Sequence, residues 1–307
     1  MNESILITGA NIGLGKETAR QLALKKETKK VILFCRNQAK AEAAKKDLEE
    51  QTGKKIFEII IGDVSDTNSV RKAAEKIKEP IDAVILNAGG MVGKTAAKLT
   101  PSGMNELAAT NILGHVVLVD ELLKQDKLKK AVLFISAEAV PGVKPLGMKP
   151  VSMKTSSVDE FATVLDGSYF GNKFDVTQAY GYVKYVGTMW TLSMARKYPD
   201  IKFVVMSPGN TKGTMAPDSL PQPMRFMLKF VMMPIVFPLM GQVHKIEVGV
   251  KRLVDAISDE RYKSGVFYAS KQGQLSGDVV DQSTFFTPLK NTTFHDNADK
   301  AIHRFIK

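Results

Sequence analysis

The two side chains in this 307-residue sequence best suited to chemistry are Tyr180 and Lys184. Four residues apart, they share one face of any helix that contains them. A phenol with a pKa near ~10 is a poor acid or base at neutral pH, but an adjacent ammonium favours the phenolate and lowers that value. Tyr180 could then give a proton to a carbonyl oxygen as hydride reaches the carbon, or take one back in reverse. Spacing alone is a weak signal, because seven tyrosines and 43 Lys and Arg residues yield about one such pair by chance. Tyr169 and Lys173 share the spacing, but with Gly171 and Asn172 between them. Tyr180 instead heads an apolar pattern (Val183, Val186, Met189, Trp190, Leu192) that predicts a buried helix over 178–197.

A second constellation is the run Thr8-Gly9-Ala10-Asn11-Ile12-Gly13-Leu14-Gly15, between an apolar strand and a helix. Gly9 suits a tight turn, Gly13 lets backbone approach a pyrophosphate, and Gly15 allows close helix packing. The helix start then offers unpaired N–H groups and a positive dipole to phosphates. The spacing is GxxxGxG rather than GxGxxG, and a plain strand–helix turn is the bland alternative. About twenty residues on, the second strand ends Phe34-Cys35-Arg36-Asn37 with no acid to hold a ribose 2′-hydroxyl. Arg36 can clamp a 2′-phosphate, with Lys40 one turn later to assist, so the expected cofactor is NADP(H) rather than NAD(H).

The elements that must position these groups alternate along the chain. Apolar, β-branched runs at 4–8, 30–35, 56–61, 82–87, 131–136 and 201–206 predict strands. Helical spacing fills 14–27, 38–51, 66–78, 102–125 and 178–197 between them. Strands apolar throughout suit a parallel sheet covered on both faces, hence an α/β, doubly wound, Rossmann-type domain over 1–307. Two excursions interrupt the rhythm at the carboxyl ends of strands, where such sheets bind ligands. One is the insertion 139–177, rich in Gly, Pro and Ser; the other is 212–241. Residues 271–307 form a C-terminal extension.

Within the second excursion, Met224, Phe226, Met227, Leu228, Phe230, Val231, Met232, Met233, Ile235, Val236, Phe237, Leu239 and Met240 make an apolar run beside the expected site. Methionine adapts to irregular apolar shapes. A lid of this kind suits a lipophilic carbonyl or alcohol, and it could touch a membrane surface through 224–240, with Arg225 and Lys229 facing head groups. The bland alternative is that it completes the core or an oligomer interface.

Composition bounds the rest. The net charge of +11 is dispersed in short lysine groups that read as solvated helix faces, with no basic block interleaved with aromatics, so nucleic acid is not an expected partner. The single cysteine, Cys35, permits no internal disulfide, and the four histidines lie too far apart for a zinc motif. No signal peptide precedes the first strand, and no stretch reaches the ~20 apolar residues of a membrane span, so a reduced, cytoplasmic and metal-free protein is expected.

Taken together and in order, Thr8-Gly9-x-x-x-Gly13-x-Gly15, Asp63-Val64, Asn87-Ala88-Gly89, Asn111, Ser136, Tyr180-x-x-x-Lys184 and Pro208-Gly209 resemble the short-chain dehydrogenase/reductase superfamily in its NADP-preferring form. The resemblance covers residues 1 to about 270 and is greatest to retinol dehydrogenases. The insertion and the tail Asp299-Lys300-Ala301-Ile302 are also similar to light-dependent protochlorophyllide reductases. It implies an oxidoreductase acting on the CH–OH group of donors, with Tyr180 as acid–base and Lys184 lowering its pKa and holding the nicotinamide ribose. Ser136 would hydrogen-bond the substrate oxygen, although counting from the strand end puts Ala137 in that place. Asn111 would anchor a relay water. Thr8, Gly9, Asn11 to Gly15, Arg36, Asn37, Asp63, Val64, Asn87 to Gly89, Pro208, Gly209 and Thr211 would line the cofactor. Dimers or tetramers through 102–125 and 178–197 are implied as well. The competing expectation is a catalytically weak NADP(H)-binding sensor or scaffold.

Overall fold

In a computed structural model that describes residues 2–143, 147–212 and 226–306, the alternation becomes one eight-stranded sheet of order β3-β2-β1-β4-β5-β6-β7-β8. The strands are β1 (Ser4–Thr8), β2 (Lys30–Cys35), β3 (Phe57–Ile61), β4 (Ile81–Leu86), β5 (Leu128–Ile135), β6 (Lys202–Met206), β7 (Val266–Ser270) and β8 (Val279–Asp281). The first seven pair in parallel and β8 runs antiparallel to β7. Chain order reverses between β1 and β4, which opens a crevice at the carboxyl ends of those two strands.

Buried strand residues face helices on both sides, as their continuous apolar character requires. One face packs Leu22, Leu48 and Leu253 from α1 (Gly13–Ala23), α2 (Gln38–Thr52) and α8 (Ile246–Ser258). The other packs Val70, Val116 and Trp190 from α3 (Thr67–Glu75), α5 (Gly114–Lys124) and α7 (Val176–Lys197). Polar side chains close most helix starts: Asn37 caps α2, Asp66 caps α3, Asp175 caps α7 and Asn291 caps α9 (Thr292–His303). The α1 start carries no side-chain cap.

Three expectations need correction. The helix over 102–125 is interrupted: α4 (Glu106–Ala108) passes into a π-helical turn (Ala109–Leu113) before α5 begins. There the Asn111 amide bonds the backbone of Gly90, a tertiary contact that pulls the turn wide. The insertion is not all loop, since α6 (Val158–Asp166) opens with Ser157 capping the Glu160 N–H, while the Glu160 carboxylate accepts the N–H groups of Lys154, Thr155 and Ser156 ahead of it. The C-terminal extension contributes α9, which lies along α6 and α7 through Ser193–Asp296 and Lys197–Asp299 contacts, with His303 reaching Asp120 on α5. Every residue of α7 from Tyr182 to Met194 is buried within this one chain. The middle of that helix therefore presents no free face to a second copy, contrary to the expected interface.

The apolar run behaves differently from a core segment. From 226 onward it forms a π-helix (Leu228–Val236) containing Pro234 and a short helix (Phe237–Leu239). Phe226, Met227, Phe230, Ile235 and Leu239 are exposed, the last at 84%, while Phe237 is buried. Met224, Arg225 and the start of the lid, 213–225, lie outside the described residues, as do 144–146 of the insertion. No helix among the described residues is long and apolar enough to cross a membrane.

Candidate active site

The glycine loop leaves β1 at Thr8 and turns into α1. Its shape is fixed from β4: the Asn87 side-chain amide donates to the carbonyls of Thr8 (2.8 Å) and Gly9 (3.3 Å), and the Thr8 hydroxyl accepts from the N–H groups of Asn87 and Ala88 (both 2.9 Å). Gly15 lies so close that a Cβ there would overlap the Gly9 carbonyl and stand 2.5 Å from the Asn87 amide nitrogen. Gly13 has φ +56° and open space where a Cβ would project. An uncapped helix start with no acid in its first turn, beneath open space, fits a dinucleotide pyrophosphate. Asn11 and Leu14 are half-buried on either side of the exposed Ile12.

Arg36 is 78% exposed at the mouth of this cradle, with a guanidinium nitrogen 3.7 Å from the Asp63 carboxylate. Asp63 also accepts from the N–H and hydroxyl of Ser65, so it shapes its own turn, and Asp66 is the residue that caps α3. The Val64 backbone abuts Gly114 at the start of α5. Asn37 uses its carbonyl oxygen to cap α2 through the Lys40 N–H (2.9 Å), a structural role beside its expected place at the cofactor.

On the other side of the crevice, the Lys184 ammonium nitrogen lies 5.5 Å from the centroid of the Tyr180 ring and 5.1 Å from that of Phe134, and donates to the Ile135 carbonyl at 2.9 Å. Burial pushes Lys184 down to about 7. Burial also pushes the Tyr180 phenol well above its ordinary value, and the Glu138 charge pushes the same way. The expected lowering of Tyr180 by Lys184 is not among the causes of its shift, in which burial comes first and the Glu138 charge second. Asn111 and Gly89 complete this corner, since a Cβ on Gly89 would run into the Asn111 amide oxygen and stand 3.7 Å from the Lys184 nitrogen. The Asn111 amide is engaged by Gly90 and Leu107.

Ser136 is buried and its hydroxyl pairs with that of Thr188 at 2.9 Å. β5 ends at Ile135, so Ser136 and Ala137 are the first two residues beyond it. The rival pair also resolves: the Tyr169 hydroxyl donates to the Ser152 carbonyl at 3.2 Å and its ring packs on Phe170 and Tyr182.

Several residues here escaped sequence reasoning. His115, one turn after Asn111, is 1% exposed; its Nδ1 lies 3.1 Å from the Asn111 carbonyl and its Nε2 3.0 Å from the Thr8 hydroxyl. A carbonyl only accepts, so Nδ1 carries the proton, and burial holds His115 down at about 3. This neutral ring joins the glycine loop to the Asn111 turn; its i+4 spacing from Asn111 was the available signal. Glu138, Arg252 and His244 gather around Pro208, Gly209 and Thr211, where His244 Nε2 is 2.8 Å from the Pro208 carbonyl. Nothing local in the sequence joins them.

Comparison with known proteins agrees with this geometry. A family model described as short chain dehydrogenase matches residues 3–148. Dehydrogenase/reductase SDR family member 12 of Bos taurus is 31% identical over 210 residues, covering 67% of this chain and 60% of that protein. Retinol dehydrogenase 13 of Homo sapiens is 37% identical over 130 residues, 41% of this chain and 38% of that one. Chloroplastic protochlorophyllide reductase of Daucus carota is 28% identical over 307 residues, 91% of this chain and 74% of that one. The chain thus spans about 60% or less of the length of the SDR family member 12 and retinol dehydrogenase relatives. Among solved structures, NADPH-bound carbonyl reductase from chicken fatty liver shares the fold, with a TM-score of 0.59 at 20% identity over 90% of this chain and 99% of that one.

Proposed function

The chain belongs to the short-chain dehydrogenase/reductase superfamily, and from that premise we propose that it is an NADP(H)-dependent oxidoreductase acting on the carbonyl or alcohol group of a lipophilic compound. The observation that carries the reading is the pair of half-buried Tyr180 and buried Lys184 on α7, beside Asn111 and Gly89, with the glycine cradle and Arg36 at the other wall of the crevice. The bound dinucleotide supplies hydride at its nicotinamide. The phenol of Tyr180 gives its proton to the carbonyl oxygen as hydride reaches the carbon, and takes one back in the reverse direction. Lys184, held by Ile135, orients the phenol from beneath and can hold ribose hydroxyls. Arg36 neutralises a 2′-phosphate, and Pro208, Gly209 and Thr211 shape the nicotinamide end.

The exposed apolar side chains from Phe226 to Leu239 support a lipophilic substrate, and they suit contact with a lipid surface as well. The test is NADPH oxidation against a panel of aldehydes, ketones and quinones. Large apolar carbonyls should turn over faster than small polar ones, and Tyr180→Phe should lower kcat by about 10²–10⁴-fold with NADPH affinity retained. Arg36→Ala should cut the preference for NADPH over NADH by about tenfold or more. NADH used as well as NADPH would overturn the cofactor assignment. NADPH binding without turnover on any carbonyl would leave the sensor or scaffold reading instead.

A further inference from the structure

Behind the nicotinamide end lies a buried polar cluster that the mechanism above does not use. Glu138, two residues beyond Ser136, is 6% exposed. Its carboxylate accepts from the Ser207 hydroxyl (2.5 Å), the Ser270 hydroxyl (3.0 Å) and the Ser270 N–H (3.4 Å), and stands 3.8 Å from the Arg252 guanidinium. Arg252, on α8, also donates to the Ser270 hydroxyl (3.1 Å) and to the Gly277 carbonyl (2.7 Å). Ser207 in turn accepts the Gly209 N–H at 3.2 Å, and a Cβ on Gly209 would stand 2.8 Å from Arg252. One carboxylate thus joins the loop after β5, the loop after β6, the end of β7 and α8. Ala139, its neighbour, packs on Gly181 beside Tyr180, where a Cβ would stand 3.3 Å from the Ala139 carbonyl.

We infer that Glu138 is a positioning residue for the reaction: held by Arg252, Ser207 and Ser270, it fixes the loop Ser207–Thr211 against the loop after β5, and so sets where nicotinamide and Tyr180 meet. The inference deepens the oxidoreductase reading and rests on it. A buried carboxylate with one paired cation and three further donors is rigid, because any movement leaves a charge unsatisfied in a dry environment. Its charge has a second consequence. Among the described residues, the charged and titratable groups about Tyr180 are Lys184 on α7, Glu138 on the loop after β5, Arg252 on α8 behind Glu138, His115 on α5 behind Lys184, and His244 beside Arg252. Of these, Glu138 opposes the phenolate. Removing its charge makes the phenol easier to ionise, so carbonyl reduction, which needs the protonated phenol, fails at lower pH.

The experiment compares wild type with Glu138→Gln and Ser207→Ala by NADPH fluorescence titration and by the pH profile of kcat for carbonyl reduction. Glu138→Gln is expected to weaken NADPH binding by about tenfold and to move the alkaline limb down by at least about half a pH unit. Ser207→Ala, which keeps the charge, is expected to weaken binding by about threefold and leave the limb in place. A purely structural role would lower yield or Tm without moving the limb. Folded Glu138→Gln with wild-type affinity and an unmoved limb overturns the inference. Should that variant fail to fold, wild-type affinity in Ser207→Ala overturns it. If the wild type binds NADPH but reduces no carbonyl, the oxidoreductase reading fails, while the titrations still decide whether Glu138 positions the nicotinamide loop.

Discussion

The two ends of the sheet solve the same problem, how to hold polar groups at a crevice, in opposite ways. At the β1–β3 end the work is done mostly by main chain and short neutral contacts: a glycine loop, an uncapped helix start, the Asn87 amide across one strand pair and local side-chain caps such as Asn37 and Asp66. At the β5–β7 end it is done by buried ionisable side chains, Lys184, Glu138 and Arg252, whose partners lie far along the chain. The first arrangement depends on shape and carries little desolvation cost. The second depends on complete satisfaction, and each member is costly if its partner is lost. Shape at one end and charge at the other make different substitutions damaging, and that difference can be broken experimentally.

The largest effect is expected at the shape-determined end. Gly15→Ala places a methyl group against the Gly9 backbone carbonyl and the Asn87 side-chain amide, which is itself held by the Thr8 and Gly9 carbonyls. NADPH binding should fall by about 100-fold or more, with a stability loss of about 1–3 kcal/mol by denaturant titration. Unchanged binding would show that the loop yields and that shape is not what it contributes.

Next, Lys184→Met should abolish turnover while raising Tm at pH 7. The folded protein holds Lys184 at about 7 against 10.5 for the ordinary side chain, so between those values the unfolded chain carries a proton that the folded one does not. This group's share of stability therefore increases as pH rises from about 7 to 10.5, and its burial is most costly below that window. Methionine removes the cost, with an expected gain on the order of 1–3 kcal/mol. A lower Tm across the whole pH range would refute the idea that the charge is held at a cost to the fold.

Ser136→Ala removes one buried hydroxyl pair with Thr188. Stability should drop by about 1 kcal/mol and kcat should stay within about threefold, because the hydroxyl is paired with Thr188. A collapse of kcat with retained fold would restore Ser136 to the substrate-contact place.

The smallest effect belongs to His303, which the Asp120 and Asp299 carboxylates raise to about 10. The charged form is favoured in the fold, so its contribution is fully present below about pH 6.5 and is lost as pH climbs through about 10. The side chain is 41% exposed, and solvent screening limits the contribution to about 0.5–1 kcal/mol. His303→Gln should flatten the fall of Tm between pH 7 and 10 by that amount. An identical slope would place the pH response elsewhere.

Much of this molecule was legible before any coordinates. The strands at 4–8 and 30–35 fall where the apolar runs stop, and α7 begins only two residues before its expected start. These features are local: period, branching and glycine spacing act within a few residues. The break at Asn111, the helix inside the insertion and the burial of α7 beneath α9 were not legible in the same way. The first and last depend on contacts tens to about a hundred residues apart, such as Asn111 with Gly90 and Ser193 with Asp296, whereas the insertion helix starts on the local Ser157 and Glu160 bonds that the sequence reading passed over.

Sequence by itself determined the order of strands and helices, the cradle after β1 and the register that brings Tyr180 and Lys184 to one helix face. The tertiary structure decided how those groups behave. It turned the Ser136 hydroxyl toward Thr188, assembled Glu138 with Arg252, and raised the phenol where spacing alone implied a lowered one. The physical reason is that backbone preference and periodicity are written residue by residue. Desolvation instead depends on everything folded over a group, and only the packed chain fixes that.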